Sequence, residues 1–250
     1  MTKRIEEFGL KLNGFDFLVG LAGNPNTGKS TLFNALTGLR QHTGNWPGKT
    51  VTRAEGSFRF KEKKFKLVDL PGTYSLYAPT EHEAIVRDFL LYGAPDATIV
   101  VMDATNIERN LNLTLQILEI TGKVVIALNL VDEAERKGIE VNHQQLSKDL
   151  SIPVVPCIAT RKKGLEELAD AVYKIASKEI ITKPRPPKIS EELKSAVEQL
   201  LPFVREALPG ISNPEWIALR LLDSDAKLDE ELANGRLALL TKSLTKEARS

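Results

Sequence analysis

Eight residues, Gly23-Asn24-Pro25-Asn26-Thr27-Gly28-Lys29-Ser30, carry the densest chemistry in the chain. They fit G-x-x-x-x-G-K-[ST], a loop that binds phosphate. The glycines let the backbone curl so that its N–H groups point inward at anionic oxygens. A helix starting at the loop aims its positive end at the same place. Lys29 would reach the β- and γ-phosphates, the Ser30 hydroxyl would ligate Mg²⁺, and Thr31 would extend the cradle.

A second group, Asp69-Leu70-Pro71-Gly72, follows an apolar run. Alone, D-x-P-G is an ordinary turn. Beside a phosphate loop, Asp69 can hold Mg²⁺ through water, and the Gly72 N–H can meet a γ-phosphate and move when that phosphate leaves. The third group, Asn129-Leu130-Val131-Asp132, selects the base. A carboxylate at Asp132 can accept from the ring N1–H and the exocyclic amine of guanine, whereas adenine lacks that donor pair. Sites built this way reject the wrong partner by roughly 10⁴-fold. In isolation Asp132 would read as a helix cap. Ile158-Ala159-Thr160 completes the pocket, with a backbone N–H for the guanine carbonyl oxygen.

These groups need a frame, and the apolar pattern provides one. Leu18–Gly23, Ala97–Asp103, Lys123–Asn129 and Pro153–Ile158 have strand lengths. Helical patterns follow Lys29, run through Leu111, Leu115 and Leu118, occupy material before Leu150, and extend from Leu165 to about Ala176. Val51–Phe60 and Phe65–Asp69, joined by a polar turn, predict a hairpin. The alternation predicts an α/β fold with a mostly parallel sheet, helices on both faces and one antiparallel edge strand. Thr182-Lys183-Pro184-Arg185-Pro186-Pro187 breaks the chain. Beyond it, Ser190 and Asn213-Pro214-Glu215 are helix starts, so a small all-α domain is expected. The expected domains are an N-terminal extension at 1–16, a nucleotide-binding domain at 17–181 and a helical domain at 188–250.

The chain has 250 residues, with 34 Lys and Arg against 33 Asp and Glu, giving a formal net charge of +1. That balance provides no general attraction to nucleic acid or anionic lipid. No apolar run approaches the roughly 18 residues of a membrane span, and the N-terminus lacks a signal core. The chain is therefore expected to be soluble. The one cysteine, Cys157, cannot form an internal disulfide and points to a reducing compartment.

Taken in order, the groups resemble the translation-factor branch of P-loop GTPases. Gly44-Asn45-Trp46-Pro47-Gly48-Lys49-Thr50-Val51, then Asp69-Leu70-Pro71-Gly72-Thr73-Tyr74-Ser75-Leu76, are similar to the cytosolic G domain of the ferrous iron transport protein B family. So are Glu108-Arg109-Asn110-Leu111 and Leu113-Thr114-Leu115-Gln116. The resemblance covers about residues 17–178 and implies a GTPase that switches between GTP and GDP states and regulates or drives Fe²⁺ uptake. It implies Mg²⁺ held by Ser30, Asp69 and Thr50, with Thr50 as the switch threonine. It also implies K⁺ at Asn26, with the carbonyls of Gly44 and Trp46 as further ligands. Lys29, Thr50, Gly72 and Asn26 are then the catalytic set. The implied partner is a C-terminal polytopic membrane domain at the cytoplasmic face of the inner membrane. A small cytosolic accessory protein and a homo-oligomer also fit, nucleic acid does not, and the helical tail is expected to favour GDP. Thr73 stands where a water-orienting Gln would commonly follow the glycine, so unassisted turnover is expected on the order of 10⁻⁴ to 10⁻² s⁻¹.

Other residues read more plainly. Trp46 is expected to anchor or meet a partner rather than catalyse, Cys157 to pack in a strand, and His42, His82 and His143 to be solvated. Arg161-Lys162-Lys163 is expected to be a solvated loop. Two rival readings have different signatures. An RNA- or ribosome-associated GTPase would need a basic or KH-like appendage, and none is evident after residue 188. A non-hydrolysing guanine-nucleotide sensor would show no K⁺-dependent turnover.

Overall fold

Short apolar runs between polar turns become most of the sheet. The computed structural model describes residues 2–38, 41–77, 80–184 and 189–223. The described elements are, in order, α1 (Thr2–Glu7), β1 (Phe17–Gly23), α2 (Lys29–Thr37), β2 (Gln41–Asn45), β3 (Thr52–Phe60) and β4 (Lys63–Asp69). Then come α3 (Glu81–Asp88), a π-helical turn at Phe89–Gly93, β5 (Ala97–Asp103), α4 (Ile107–Ile120), β6 (Val124–Asn129) and α5 (Val131–Arg136). The rest are α6 (His143–Leu150), β7 (Val154–Pro156), a 3₁₀ turn at Ala159–Arg161, α7 (Leu165–Ala176), α8 (Glu191–Ala207) and α9 (Pro214–Leu222).

The seven strands form one sheet in the order β2-β3-β4-β1-β5-β6-β7. β1 pairs in parallel with β4 and β5, and β5, β6 and β7 continue in parallel. β3 is antiparallel to β4, as the hairpin predicts, and is the one strand running against the others. Outside it lies β2, paired antiparallel to β3, which the sequence reading does not anticipate.

Alternation along the strands builds two apolar layers. Leu18, Val68, Val100, Met102, Ile126 and Leu128 face one way, toward α3, the π-helical turn and α4. Val19, Leu21, Leu67, Ile99, Val101 and Ala127 face α2 and α7. The connection from β1 to β2 thus runs over one face and that from β4 to β5 over the other. A crevice at the carboxyl ends of the strands, beside β1, is the expected ligand site of such a sheet.

The helical segment caps as the sequence predicts. Ser190 accepts from the Leu193 N–H at 3.2 Å, and Asn213 from the Trp216 N–H at 3.0 Å. It is not an isolated appendage. Val197, Val204, Trp216 and Ile217 share the apolar cluster of α4, and the Asn213 amide donates to the carbonyls of Glu119 (2.8 Å) and Ile120 (3.0 Å). The expected helical material at 224–250 and the prolines at 186 and 187 lie outside the described residues. No helix among the described residues is long and apolar enough to cross a membrane.

The candidate nucleotide site

Every group singled out as chemical, except the loop around Thr50, falls at the carboxyl ends of β1, β4, β6 and β7. Gly23–Gly28 links β1 to α2. Gly28 adopts φ 80°, in the left-handed region, and a Cβ there would lie 2.3 Å from Asn129 Nδ2. Glycine is required on both counts. Asn26 also takes a left-handed conformation, φ 68°, which asparagine tolerates. Within the loop, Thr27 Oγ1 donates to the Asn24 carbonyl at 2.9 Å, and the Asn24 amide donates to the Arg109 carbonyl at 3.3 Å. No side chain caps the start of α2, so its first N–H groups are left for an anion. Ser30 and Thr31 are exposed on that first turn.

Lys29 Nζ forms an ion pair with the Asp69 carboxylate, and both side chains are largely buried. Burial raises the Asp69 pKa, and Lys29 opposes that rise. The Ser30 hydroxyl and the Asp69 carboxylate are oxygen donors of the kind that suit a hard divalent cation such as Mg²⁺, and Asp69 is paired with Lys29. Leu70 N–H donates to the Leu21 carbonyl at 2.9 Å, so the chain leaves β4 beside the phosphate loop. Gly72 lies against Pro25, whose Cγ would be 3.4 Å from a Cβ added to it. Thr73 N–H reaches the Gly23 carbonyl at 3.4 Å.

Asn129 ties three segments together. Its amide donates to the Thr27 carbonyl at 3.0 Å, and its Oδ1 accepts from the Ala159 N–H at 3.1 Å. Leu130 is left-handed, φ 62°, and turns the chain so that Val131 and Asp132 open α5. A cavity of ≈ 180 Å³ lies between Gly28, Asn129, Leu130, Asp132, Ile158 and Thr160. A larger groove of ≈ 1480 Å³ lies between α4, α8 and α9 and contains none of these residues. Arg161, expected in a solvated loop, is mostly exposed, yet its guanidinium lies 3.9 Å from Asp132. Sequence spacing gave no sign of that pairing.

Some expected residues are placed elsewhere. Thr50 is exposed in the turn joining β2 to β3, and no hydrogen bond among the described residues ties it to the phosphate loop. Gly44 lies in β2 opposite Arg53, and the Trp46 carbonyl accepts the Lys49 N–H at 2.9 Å. Neither is joined to Asn26. Trp46 is buried, as an anchor would be. Cys157 is buried just after β7, and burial pushes its thiol up to about 12. His42 and His82 are exposed, and His143 is half-buried.

Gln116 and Arg109, present in the sequence reading only as motif letters, fasten the segment after Gly72, together with Glu119 and Arg220, which it does not name. Gln116 Oε1 accepts from the Leu76 N–H at 2.6 Å and from the Ser75 hydroxyl at 3.2 Å. Arg109 stacks on Tyr74 at 4.4 Å. Tyr77 donates its hydroxyl to Glu119 and lies under Arg220 of α9 at 4.3 Å. One signal for the missed α3 was legible: Thr80 and Glu83 form a capping box, with the Thr80 N–H donating to Glu83 Oε2 at 3.2 Å.

A seven-stranded α/β sheet with a phosphate loop after β1, an acidic turn after β4 and an Asn-to-Asp corner after β6 defines a P-loop G domain of the GTPase type. Residues 17–172 match the family model described as ferrous iron transport protein B. The chain is 40% identical over 211 residues to the Fe(2+) transporter FeoB of Shigella flexneri, covering 83% of this chain and 27% of that protein. It is 39% identical over 232 residues to a Fe(2+) transport protein A/FeoB fusion protein of Porphyromonas gingivalis, covering 91% and 28%. The cytosolic domain of T. maritima FeoB in a GDP form superposes with a TM-score of 0.78 at 40% identity, covering 87% of this chain and 85% of that one. The cytosolic domain of L. pneumophila FeoB gives 0.76 at 35% identity, covering 90% and 88%. The chain therefore belongs to the ferrous iron transport protein B family. It spans little more than a quarter of the length of these transporter relatives.

Proposed function

We propose that this chain is the GTP-binding and hydrolysing part of a ferrous iron transporter, working at the cytoplasmic face of the membrane. In this reading it exchanges GTP and GDP states with a membrane-embedded portion of the same protein, and so regulates or drives passage of Fe²⁺. Residues 17–181 are its G domain and 188–250 its helical domain. The observation that carries the reading is that Asn129 ties the phosphate loop, through the Thr27 carbonyl, to Ala159 beside the Asp132 cavity, while the same loop presents Lys29 to Asp69.

The nucleotide enters by exchange. Lys29 would leave Asp69 for the β- and γ-phosphates, and the Asp69 carboxylate and Ser30 hydroxyl would hold Mg²⁺, which would offset the phosphate charge. Asp132 accepts the two guanine donors, and an N–H of residues 158–160 meets the guanine carbonyl. Thr50 would add its hydroxyl to that metal only in the triphosphate state, after its hairpin rearranges. Gly72 offers its N–H to the γ-phosphate.

Turnover is slow because nothing of the right reach follows Gly72. Thr73 is buried, and its hydroxyl already donates to the Ser75 carbonyl at 2.7 Å. Asn26 would hold a potassium ion, which would supply the missing positive charge. Asn26 is exposed and its amide makes no hydrogen bond among the described residues, which leaves it free to ligate K⁺ next to the phosphates. GTP hydrolysis by this chain is expected to rise about tenfold or more when NaCl is replaced by KCl, within the range that a charge supplied at the transition state can produce. Asn26→Ala should remove that rise while leaving GDP affinity within about threefold, because the phosphate contacts are main-chain and Lys29. Equal rates in the two salts would remove K⁺ from the account. Phosphate release indistinguishable from buffer in both would favour a non-hydrolysing sensor.

A further inference from the structure

The G-domain reading leaves the first sixteen residues without a role, yet three of them are packed into the apolar core. Ile5, Phe8 and Leu10 are buried in the same apolar cluster as Trp46 and Phe89. Phe8, Trp46 and Phe89 form a triangle of edge-on rings, with centroids 6.2, 5.7 and 5.9 Å apart. Arg53 closes it. Its guanidinium lies 5.6 Å from the Trp46 ring, donates to the carbonyls of Phe8 and Gly9, and pairs with Glu55 at 2.7 Å. Gly9 is left-handed, φ 69°, and a Cβ there would lie 2.8 Å from Arg53 Nη1. The N-terminal segment thus forms one wall of the Trp46 pocket.

Trp46 begins the turn that carries Thr50. Its N–H donates to the Val51 carbonyl at 3.0 Å, and β2, just before it, is a largely exposed edge strand paired only with β3. The edge strand has no apolar side chain of its own, so its backbone pairing with β3 and the buried indole anchor that follows it hold it in place. That anchor is imperfect: the buried Trp46 Nε1–H finds no acceptor among the described residues. An anchor with a good apolar fit and an unsatisfied donor is suited to release.

We propose that residues 5–10 are an intramolecular latch. By walling in Trp46, they hold the Gln41–Val51 segment at the sheet edge and oppose the rearrangement that brings Thr50 to a bound triphosphate. This rests on the nucleotide reading above and extends it to the N-terminal segment. Because the latch contacts neither the phosphate loop nor Asp132, it discriminates against triphosphate and leaves diphosphate binding alone.

The test compares the full chain with its Phe8→Ala and Gly9→Ala variants, all in a Trp216→Phe background so that Trp46 alone reports by fluorescence. Affinities for GDP and for a non-hydrolysable GTP analogue are measured with Mg²⁺. In both variants, analogue affinity is expected to rise about tenfold, in the usual range of coupling between sites, with GDP affinity within about twofold of the parent. Trp46 emission without nucleotide should move to the red as the indole becomes wet. A red-shifted Trp46 with unchanged analogue affinity overturns the latch and leaves the nucleotide reading intact. If Phe8→Ala does not fold, Gly9→Ala decides by the same criteria. A parent chain that binds no guanine nucleotide overturns the nucleotide reading, and the latch with it.

Discussion

Replacing Lys29 with alanine should weaken GDP and GTP binding by at least about a thousandfold, roughly 4 kcal/mol. Two losses combine. The variant lacks the charge-assisted contact to the β- and γ-phosphates, which is strong because the side chain is largely buried. It also strips Asp69 of its partner. Burial already raises the Asp69 pKa and Lys29 is the group that opposes the rise, so without Lys29 the neutral carboxyl is favoured further. A carboxylate that ionises less readily holds Mg²⁺ less well. The fold should survive, since neither Lys29 nor Asp69 belongs to the apolar core clusters. Titration calorimetry with GDP, checked by an unchanged circular dichroism spectrum, measures the effect. A loss of only a few-fold would mean that Lys29 is a structural partner of Asp69 and does not meet phosphate.

The second large effect is a change of base. Asp132 sits in the first turn of α5, beside the cavity formed with Asn129 and Thr160. Its carboxylate offers two acceptors, matching the N1–H and exocyclic amine of guanine. Asp132→Asn replaces one acceptor by a donor. Guanine then sets an amine against an amide N–H, while xanthine, with a carbonyl at that position, becomes complementary. GTP affinity should fall by about 10² to 10⁴, the range for mispaired groups in a built site, and xanthosine triphosphate should now compete. Arg161, 3.9 Å from Asp132, loses its ion-pair partner in the variant but is exposed enough for water to replace it. Competition against a fluorescent guanine nucleotide checks the prediction, and retained preference for GTP over xanthosine triphosphate would contradict the role of Asp132.

What the sequence disclosed and what it hid follow one physical division. The phosphate loop, the Asp69 turn and the Asn129–Asp132 corner were legible because each is local: an apolar strand ends and a short turn of constrained residue types follows. Their convergence was legible too, since parallel strands bring their carboxyl ends to one edge. β2 was not. Gln41-His42-Thr43-Gly44-Asn45 has no apolar alternation, and it is a strand only because its backbone pairs with β3. The N-terminal segment was equally silent. Ile5 belongs to a helix too short to show a period, Phe8 and Leu10 follow it outside any regular element, and Phe8 finds Trp46 far along the chain. Gln116 and Glu119 fasten Ser75–Tyr77 across comparable separations, and Arg220 reaches Tyr77 from much farther along the chain. α3 was missed for a lesser reason, because its Thr80–Glu83 capping box stood in the sequence.

The central claim is that one cleft at the carboxyl edge of the sheet grips a guanine nucleotide by its phosphates and checks its ring. Titrating the purified chain with GTP, GDP and ATP in turn, in the presence of Mg²⁺, tests this most directly. Saturable binding of both guanine nucleotides, with ATP weaker by about three orders of magnitude or more, is the predicted result. No detectable heat with either guanine nucleotide at millimolar concentration, or an ATP isotherm matching that of GTP, would contradict it.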